Sequence, residues 1–131
     1  MFHQLLNDPN GVYRGIVKKD DERIIGYVFL AHILRSHRVA REFGIVIGDK
    51  KLWGHGYGSE TTKLMLEYGF KQLKLHRIEL IVLDSNERAL HMYRNLGFVE
   101  EGVQREARLI EDKWHDVISL GILEKEYMHT H

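Results

Sequence analysis

The chain has 131 residues, of which 44% are hydrophobic and 29% charged, and this composition predicts one globular domain with its own core. Nineteen basic residues balance nineteen acidic ones, so the net charge indicates no general attraction to nucleic acid or to an anionic membrane. The sequence contains no cysteine, which excludes disulfides, thiolate metal sites and a cysteine nucleophile. Together with the lack of a long apolar run or a signal-peptide pattern, this leads us to expect a cytoplasmic protein with no nucleic-acid or membrane partner.

The first half of the chain is dominated by strand patterns. Residues 1–7 are interpreted as the end of a helix, and Asp8-Pro9-Asn10-Gly11 is a strong turn signal. Residues 13–18 and 23–34 predict two antiparallel strands joined by the charged turn 19–22. Residues 42–48, rich in Phe, Ile and Val, predict a buried strand that leads directly into a glycine-rich loop.

The second half alternates helix and strand patterns before it ends in strands. Apolar residues at three- and four-residue spacing predict helices over 58–73 and 89–96, the second ended by Gly97 as a left-handed cap. Residues 78–83 predict another buried strand, and strands are expected over 102–110 and 114–123. Residues 128–131 are expected to be a tail outside the single domain of residues 1–131.

This order of elements predicts an α/β (α+β) fold with a mixed, mostly antiparallel central sheet and helices on both faces. The strand–helix–strand unit over residues 42–83 implies a right-handed parallel crossover, whereas the hairpins at each end imply antiparallel pairs.

The glycine-rich loop is the most informative stretch of the sequence. Gly54, Gly56 and Gly58 alternate with Trp53, His55 and Tyr57, and the helical pattern begins at this point. Unpaired N–H groups at a helix N-terminus attract anions, so the loop is either a phosphate cradle or an ordinary glycine turn before a surface helix. A P-loop lysine is lacking after Gly58, and the spacing of a dinucleotide-binding fingerprint is not met.

What remains, a strand, a loop with Gly-x-Gly and then a helix, resembles the Gcn5-related N-acetyltransferase (GNAT) superfamily. A second motif carries the resemblance independently, the Asn-x-x-Ala-x-x-x-Tyr-x-x-x-Gly-Phe frame from Asn86 to Phe98. The loop sequence Trp-Gly-His-Gly-Tyr-Gly-Ser-Glu is similar to that of the branch that contains ribosomal-protein N-terminal and polyamine acetyltransferases. The chain departs from the family in two respects. First, Trp53 replaces the usual Gln or Arg, so we expect the loop to depend on packing of Trp53 instead of a side-chain hydrogen bond. Second, we expect the family's first strand and first helix to be lacking.

The resemblance implies an N-acetyltransferase that moves an acetyl group from acetyl-coenzyme A to a primary amine by direct attack in a ternary complex. The cofactor would lie where the strand before the loop and the strand after the helix splay apart. Its pyrophosphate and pantetheine arm would contact the following residues: Ile45, Val46 and Ile47 through their backbone, Trp53, Gly54, His55, Gly56, Tyr57, Gly58 and Ser59 in the loop, and Asn86 and Ala89 beyond it.

Two residues are candidates for acid–base catalysis. Tyr93 lies nearly two helical turns after Asn86, on the same helix face, and its phenol could protonate the leaving thiolate. Alternatively, Tyr93 is a packed core aromatic and Asn86 only a helix cap. Glu42 could accept a proton from the amine or bind a cationic acceptor; alternatively it is an edge charge paired with Arg41 or Arg38.

The acceptor is expected to be a small-molecule or peptide amine: a protein N-terminus, a polyamine, an amino sugar or an amino acid. No metal is expected, because His-x-His occurs only at His129 and His131 and no His-Glu-x-x-His motif is present. His55 could add charge near a phosphate or face solvent. A homodimer is possible. The rival interpretations are a binding module for acyl-coenzyme A without turnover and a protein-interaction fragment with an empty cleft.

Overall fold

The computed structural model describes the backbone of residues 2–20, 22–48 and 50–130, and the side chains of residues 8–20, 22–48 and 50–129. Within these ranges seven strands form one sheet in the order β1-β2-β3-β4-β5-β7-β6. The strands are β1 (Phe2–Asp8), β2 (Gly11–Val17), β3 (Ile24–Leu34), β4 (Val39–Ile47), β5 (Arg77–Leu83), β6 (Val99–Ile110) and β7 (Lys113–Leu123). The helices are α1 (Tyr57–Glu67), α2 (Glu87–Asn95) and α3 (Glu124–Thr130), with a 3₁₀ turn at Lys50–Leu52 and a π-helical turn at Tyr68–Gln72.

The mixed sheet predicted from the sequence is confirmed. The pair β4–β5 is parallel, and the other neighbouring strands are antiparallel. The helix predicted over residues 58–73 is α1 followed by the π-helical turn, where Gly69 approaches the side chains of Leu30 and Ile78. Gly97 has a φ of 105°, as expected for the residue that ends α2.

The prediction that residues 1–7 end a helix is wrong. Phe2–Asp8 is strand β1, and it pairs antiparallel with β2 through the turn that Asp8 stabilises by accepting a hydrogen bond from the Asn10 amide (2.9 Å). A segment this short cannot form a stable helix from its own hydrogen bonds, whereas the edge of β2 supplies partners for its backbone. Met1 lies outside the described residues.

The expected tail is helical as far as the structure describes it. Glu126 accepts a hydrogen bond from the Leu123 amide (2.9 Å) where α3 begins, and the Tyr127 ring packs against Phe70 with centroids 5.1 Å apart. His129 belongs to this helix, and His131 lies outside the described residues. Burial of Tyr127 anchors a segment whose sequence alone gave no helical signal.

Helices on both faces were expected, but the contacts of the described helices lie on one face of the sheet. Gly69, just after α1, meets Leu30 of β3 and Ile78 of β5. Tyr93 of α2 makes an edge-to-face contact with Phe43 of β4, which lies directly opposite Leu30 in the sheet and therefore on the same face. Leu30, Phe43, Ile78 and Tyr93 belong to one buried cluster, so α1 and α2 pack on a common core.

Candidate active site

The centre of the site is an opening between β4 and β5. These strands pair only at Val39↔Arg77 and Ala40↔Ile78. Beyond that point β4 continues along β3 to Ile47, and β5 continues along β7 to Leu83. The far ends of β4 and β5 therefore do not pair with each other, and their facing backbone edges line a cleft.

The register of β3 and β4 decides which backbone groups face this cleft. The Gly48 amide donates to the Ile25 carbonyl (3.1 Å), which makes this a hydrogen-bonded pair. Because such pairs alternate along antiparallel strands, Val46 pairs with Tyr27 of β3, whereas the backbone groups of Ile45 and Ile47 point to the opposite side. Of the three predicted backbone contacts, Ile45 and Ile47 face the cleft and Val46 faces β3.

The glycine loop closes the end of the cleft next to α1. Gly54 and Gly56 both have a φ of 83°, a conformation that side chains disfavour. Gly56 is the N-cap of α1 and supplies no side-chain cap, so the amides of the first helical turn, which includes Tyr57, Gly58 and Ser59, point outwards. A Cβ atom built on Gly56 would have nothing within 4 Å. The loop thus presents N–H groups beside open space, which fits a phosphate group.

Trp53 is held by a hydrogen bond, contrary to the expectation that it would act by packing alone. Its indole Nε1–H donates to the Ile47 carbonyl (2.9 Å), while 47% of the residue stays exposed. This bond occupies a carbonyl on the cleft side of β4 and fixes the start of the loop against the end of that strand.

Two cations flank the same indole. The Lys50 ammonium lies 5.9 Å and the Arg88 guanidinium 5.7 Å from the ring centroid of Trp53. Arg88 also lies 3.4 Å from where a Cβ atom on Gly54 would stand. Arg88 was not predicted as a site residue, because only the packing of α2 beside the loop brings it close to Trp53. The arrangement adds positive charge beside the glycine loop.

The remaining loop residues lie as follows. His55 is exposed, with its ring 6.3 Å from that of Tyr57. Gly58 allows close contact between helices, since a Cβ atom there would lie 3.4 Å from the Met92 sulfur of α2. Its carbonyl accepts a hydrogen bond from the Thr62 hydroxyl (2.7 Å). The glycine motif at the start of α1 and the second motif on α2 therefore pack against each other.

Asn86 caps α2, as the sequence allowed. Its side-chain oxygen accepts a hydrogen bond from the Ala89 amide (3.2 Å), and the residue is exposed. The cap uses the Oδ1 atom, so the Nδ2 amide hydrogens can still donate to a ligand. The Ala89 amide, in contrast, is occupied by this cap.

Tyr93 is buried as a residue, with 6% of its surface exposed and with edge-to-face contacts to Phe43 and Phe98. Burial raises the pKa of its phenol to about 12. No described residue forms a hydrogen bond with the Tyr93 hydroxyl. Every buried polar side-chain atom of the described residues has a partner, so the hydroxyl oxygen is not among the buried atoms. It therefore reaches the surface, although the ring is buried. Tyr93 is both a core aromatic and a phenol that stays protonated at neutral pH.

Glu42 does not pair with Arg41 or Arg38, the partners named in the alternative interpretation. Its carboxylate lies 3.5 Å from Nε2 of His32, on the neighbouring strand β3. Arg41 pairs with Glu79 of β5 (3.7 Å), and Arg38 donates to the Lys74 carbonyl (2.8 Å). His32, Glu42 and Arg41 line a cavity of about 510 Å³ together with Leu34 and Ile81.

Comparison with known proteins agrees with this geometry. The family described as the acetyltransferase (GNAT) domain matches residues 1–99, and the chain belongs to this family. It is 36% identical over 118 residues to spermidine N(1)-acetyltransferase of Escherichia coli (strain K12), a match that covers 90% of this chain and 62% of that protein. It is 34% identical over 128 residues to spermidine N(1)-acetyltransferase of Vibrio cholerae, covering 98% and 72%. The chain thus spans less than two thirds of the length of the Escherichia coli relative.

Solved structures show the same fold. Spermidine/spermine N-acetyltransferase SpeG from Vibrio cholerae in complex with manganese ions superposes with a TM-score of 0.85 at 34% identity, covering 93% of this chain and 70% of that one. The dodecameric spermidine N-acetyltransferase from Vibrio cholerae gives a TM-score of 0.86 at 34% identity, with 92% and 69% covered. A more distant relative, the putative ribosomal N-acetyltransferase YdaF of Bacillus subtilis, is 27% identical over 120 residues, covering 92% and 63%.

In the described part of the chain, no group of three or more His, Cys, Asp or Glu residues is placed to hold a metal ion. Of the helices in residues 2–20, 22–48 and 50–130, none is both long enough and apolar enough to cross a bilayer.

Proposed function

We propose that this chain is the catalytic domain of an N-acetyltransferase that transfers an acetyl group from acetyl-coenzyme A to a primary amine. The observation that carries the proposal is the opening between β4 and β5, with the glycine loop following the end of β4 and with Tyr93 of α2 packed on Phe43 of the same strand. A thioester arm fits between strands whose facing backbone edges lack each other as partners. Membership of the family supports the same assignment.

The cofactor would be held mainly by backbone groups. The pyrophosphate would accept hydrogen bonds from the amides that follow Gly56, with Arg88 and Lys50 supplying positive charge. Backbone groups of Ile45 and the amide of Ile47 would pair with the pantetheine arm, and Asn86 would donate through its side-chain amide. A cleft-facing amide of β4 would stabilise the oxyanion that forms at the thioester carbonyl.

Tyr93 would act as the general acid. The amine nitrogen attacks the carbonyl carbon, the carbon–sulfur bond breaks, and the phenol transfers its proton to the leaving sulfur. The phenol carries its proton at neutral pH, because its pKa, which burial raises to about 12, lies far above 7. With no cysteine in the chain, an acyl-cysteine route is excluded.

The acceptor is proposed to be a small amine, and spermidine is the first candidate to test because relatives with 34% and 36% identity are spermidine acetyltransferases. A peptide N-terminus, an amino sugar and an amino acid complete the panel. The assembly of a relative as a dodecamer makes self-association a further proposal for this chain. A reducing compartment such as the cytoplasm suits the cysteine-free sequence.

The test is release of the coenzyme A thiol from acetyl-coenzyme A with this panel, alongside calorimetric binding of coenzyme A. We expect micromolar-range binding and turnover of at least one amine. Binding without turnover of any amine would favour the rival, a module that senses acyl-coenzyme A. Lack of binding would exclude both.

A further inference from the structure

We infer that His32 accepts the proton of the attacking amine, with Glu42 orienting its imidazole; this role rests on the proposed function. The two side chains belong to neighbouring strands, and His32 Nε2 lies 3.5 Å from Glu42 Oε1. Only Glu42 was predicted from the sequence, because His32 stands ten residues earlier and matches neither motif.

The backbone at this point is shaped to bring the pair together. His32 has a φ of 52°, an uncommon value for a residue other than glycine and an unusual one inside a strand. On β3 the buried residues have even numbers at Val28 and Leu30 but an odd number at Ile33. On β4 the buried residue is even-numbered at Ala40 and odd-numbered at Phe43. The alternation of both strands therefore shifts at the same place, and His32 and Glu42 emerge side by side. Strained residues of this kind cluster at functional sites.

The pair lies where the cleft begins. β4 and β5 separate immediately after Ala40 and Ile78, and Glu42 is two residues beyond that point. The cavity of about 510 Å³ that His32 and Glu42 line also includes Ile81 of β5. Both side chains are accessible, with exposures of 74% for His32 and 45% for Glu42. An amine in this cavity would stand beside the thioester of a cofactor in the cleft.

The acid and this proton acceptor lie on opposite sides of β4. Phe43 points into the core and contacts Tyr93, whereas Glu42 points away from that core. An amine that attacks from the side of Glu42 would therefore leave the sulfur accessible to Tyr93 on the other side. This arrangement separates the group that removes a proton from the group that supplies one.

The chemistry balances without a further reactant. When Nε2 carries the imidazole hydrogen, beside the Glu42 carboxylate at 3.5 Å, the lone pair on Nδ1 can take a proton. As the amine nitrogen bonds to the carbonyl carbon, its proton moves to Nδ1; the carbon–sulfur bond then breaks, and Tyr93 protonates the thiolate. Solvent afterwards removes the proton from His32 and returns one to Tyr93. Glu42 stabilises the imidazolium, so it is a positioning residue here.

Other titratable groups lie near the pair: the pKa of Tyr13 on β2 is raised by burial, by Asp8 and, to a smaller extent, by Glu42. Arg41 of β4 lines the same cavity, and its charge is offset by Glu79 of β5 at 3.7 Å. Leu34 and Ile81, the remaining lining residues, are apolar. Glu42 supplies the carboxylate among the residues that line the cavity, and one of its oxygens lies 3.5 Å from the imidazole of His32.

The test compares His32→Gln, Glu42→Gln and the double variant with His37→Gln as a matched control. His37 is an exposed histidine in the turn that follows β3, outside the cavity. With the amine that turns over best, we expect His32→Gln to lower kcat/KM by about 10²–10⁴-fold, without raising the KM for acetyl-coenzyme A, and to change the pH profile of the rate. The double variant should be little slower than His32→Gln, because the two residues act as a unit.

A rescue experiment separates chemistry from structure. His32→Gly suits the positive φ and leaves a gap, so added imidazole should restore part of the rate in that variant but not in His32→Gln. Turnover by His32→Gln within twofold of the unaltered chain, with the same pH profile, would overturn this inference alone. Failure of the unaltered chain to acetylate any amine would overturn the proposed function together with it.

Discussion

The indole nitrogen of Trp53 donates a hydrogen bond to the carbonyl of Ile47 across 2.9 Å, and this bond joins the glycine loop to the end of β4. It fixes the position of the loop relative to the strand whose backbone lines the cleft. The loop that would hold the phosphates and the strand that would hold the pantetheine arm are therefore one unit.

Replacing Trp53 by Phe tests this connection. Phe keeps an aromatic ring but lacks the N–H donor, and a neutral hydrogen bond contributes about 0.5–1.5 kcal/mol. We expect the dissociation constant of coenzyme A to rise by roughly 2- to 12-fold, measured by calorimetry. Trp114→Phe is the matched control, because Trp114 is exposed on the β6–β7 hairpin and the chain has only these two tryptophans. Equal affinities of the two variants would contradict the role of the bond.

Gly56→Val tests the anion cradle. The φ of 83° at Gly56 makes any side chain costly by about 1–2 kcal/mol, and the open space above it is where a phosphate would lie. We expect a destabilised loop and at least tenfold weaker coenzyme A binding. Gly48→Val offers the comparison, since a Cβ atom there also meets nothing within 4 Å but the backbone does not require a positive φ. Unaltered affinity in Gly56→Val would exclude the cradle.

Arg88→Gln tests the electrostatic contribution of α2 to the loop. The guanidinium is exposed, so removing it should cost no more than about 1 kcal/mol of coenzyme A binding at physiological salt. The loss should shrink further as salt is raised, because exposed charges are screened. Calorimetry at two salt concentrations measures this, with Arg108→Gln on the β6–β7 hairpin as the control. A salt-independent loss would indicate that Arg88 acts through packing on Trp53.

Tyr93→Phe tests the general acid. We expect kcat to fall by about 10²–10⁴-fold, while the affinity for coenzyme A changes little, because the ring and its contacts with Phe43 and Phe98 are kept. Thiol release in single-turnover and steady-state experiments gives both quantities. An unchanged rate would remove Tyr93 from the proton transfer and leave it as a core aromatic.

The same variant tests the pKa of Tyr93 through stability. The folded-state pKa of about 12 exceeds the unfolded value near 10, so between these values the folded chain binds more protons than the unfolded chain. The contribution of Tyr93 to the free energy of unfolding is therefore complete below pH about 10 and declines by up to about 3 kcal/mol as pH rises to about 12. Denaturant unfolding of the unaltered chain should show a steeper decline over this window than Tyr93→Phe. Parallel declines would contradict the raised pKa.

Local patterns determined much of this protein. The strands over residues 23–34 and 78–83 and the end of the second helix at Gly97 depend on neighbours in sequence, and each was predicted correctly. The two motifs around Gly56 and Tyr93 were enough to identify the family, because each uses residue types that the local backbone geometry requires.

Tertiary structure decided what local patterns cannot specify. The edge of β2 makes residues 2–8 a strand, and the contact with Phe70 anchors Tyr127 in a terminal helix. Arg88 reaches the loop only through helix packing, and His32 meets Glu42 only because two strands shift their alternation at the same place. These pairs are distant in sequence, so their proximity is set by the register and packing of the whole sheet, whereas the sequence by itself determined which elements were available to pack.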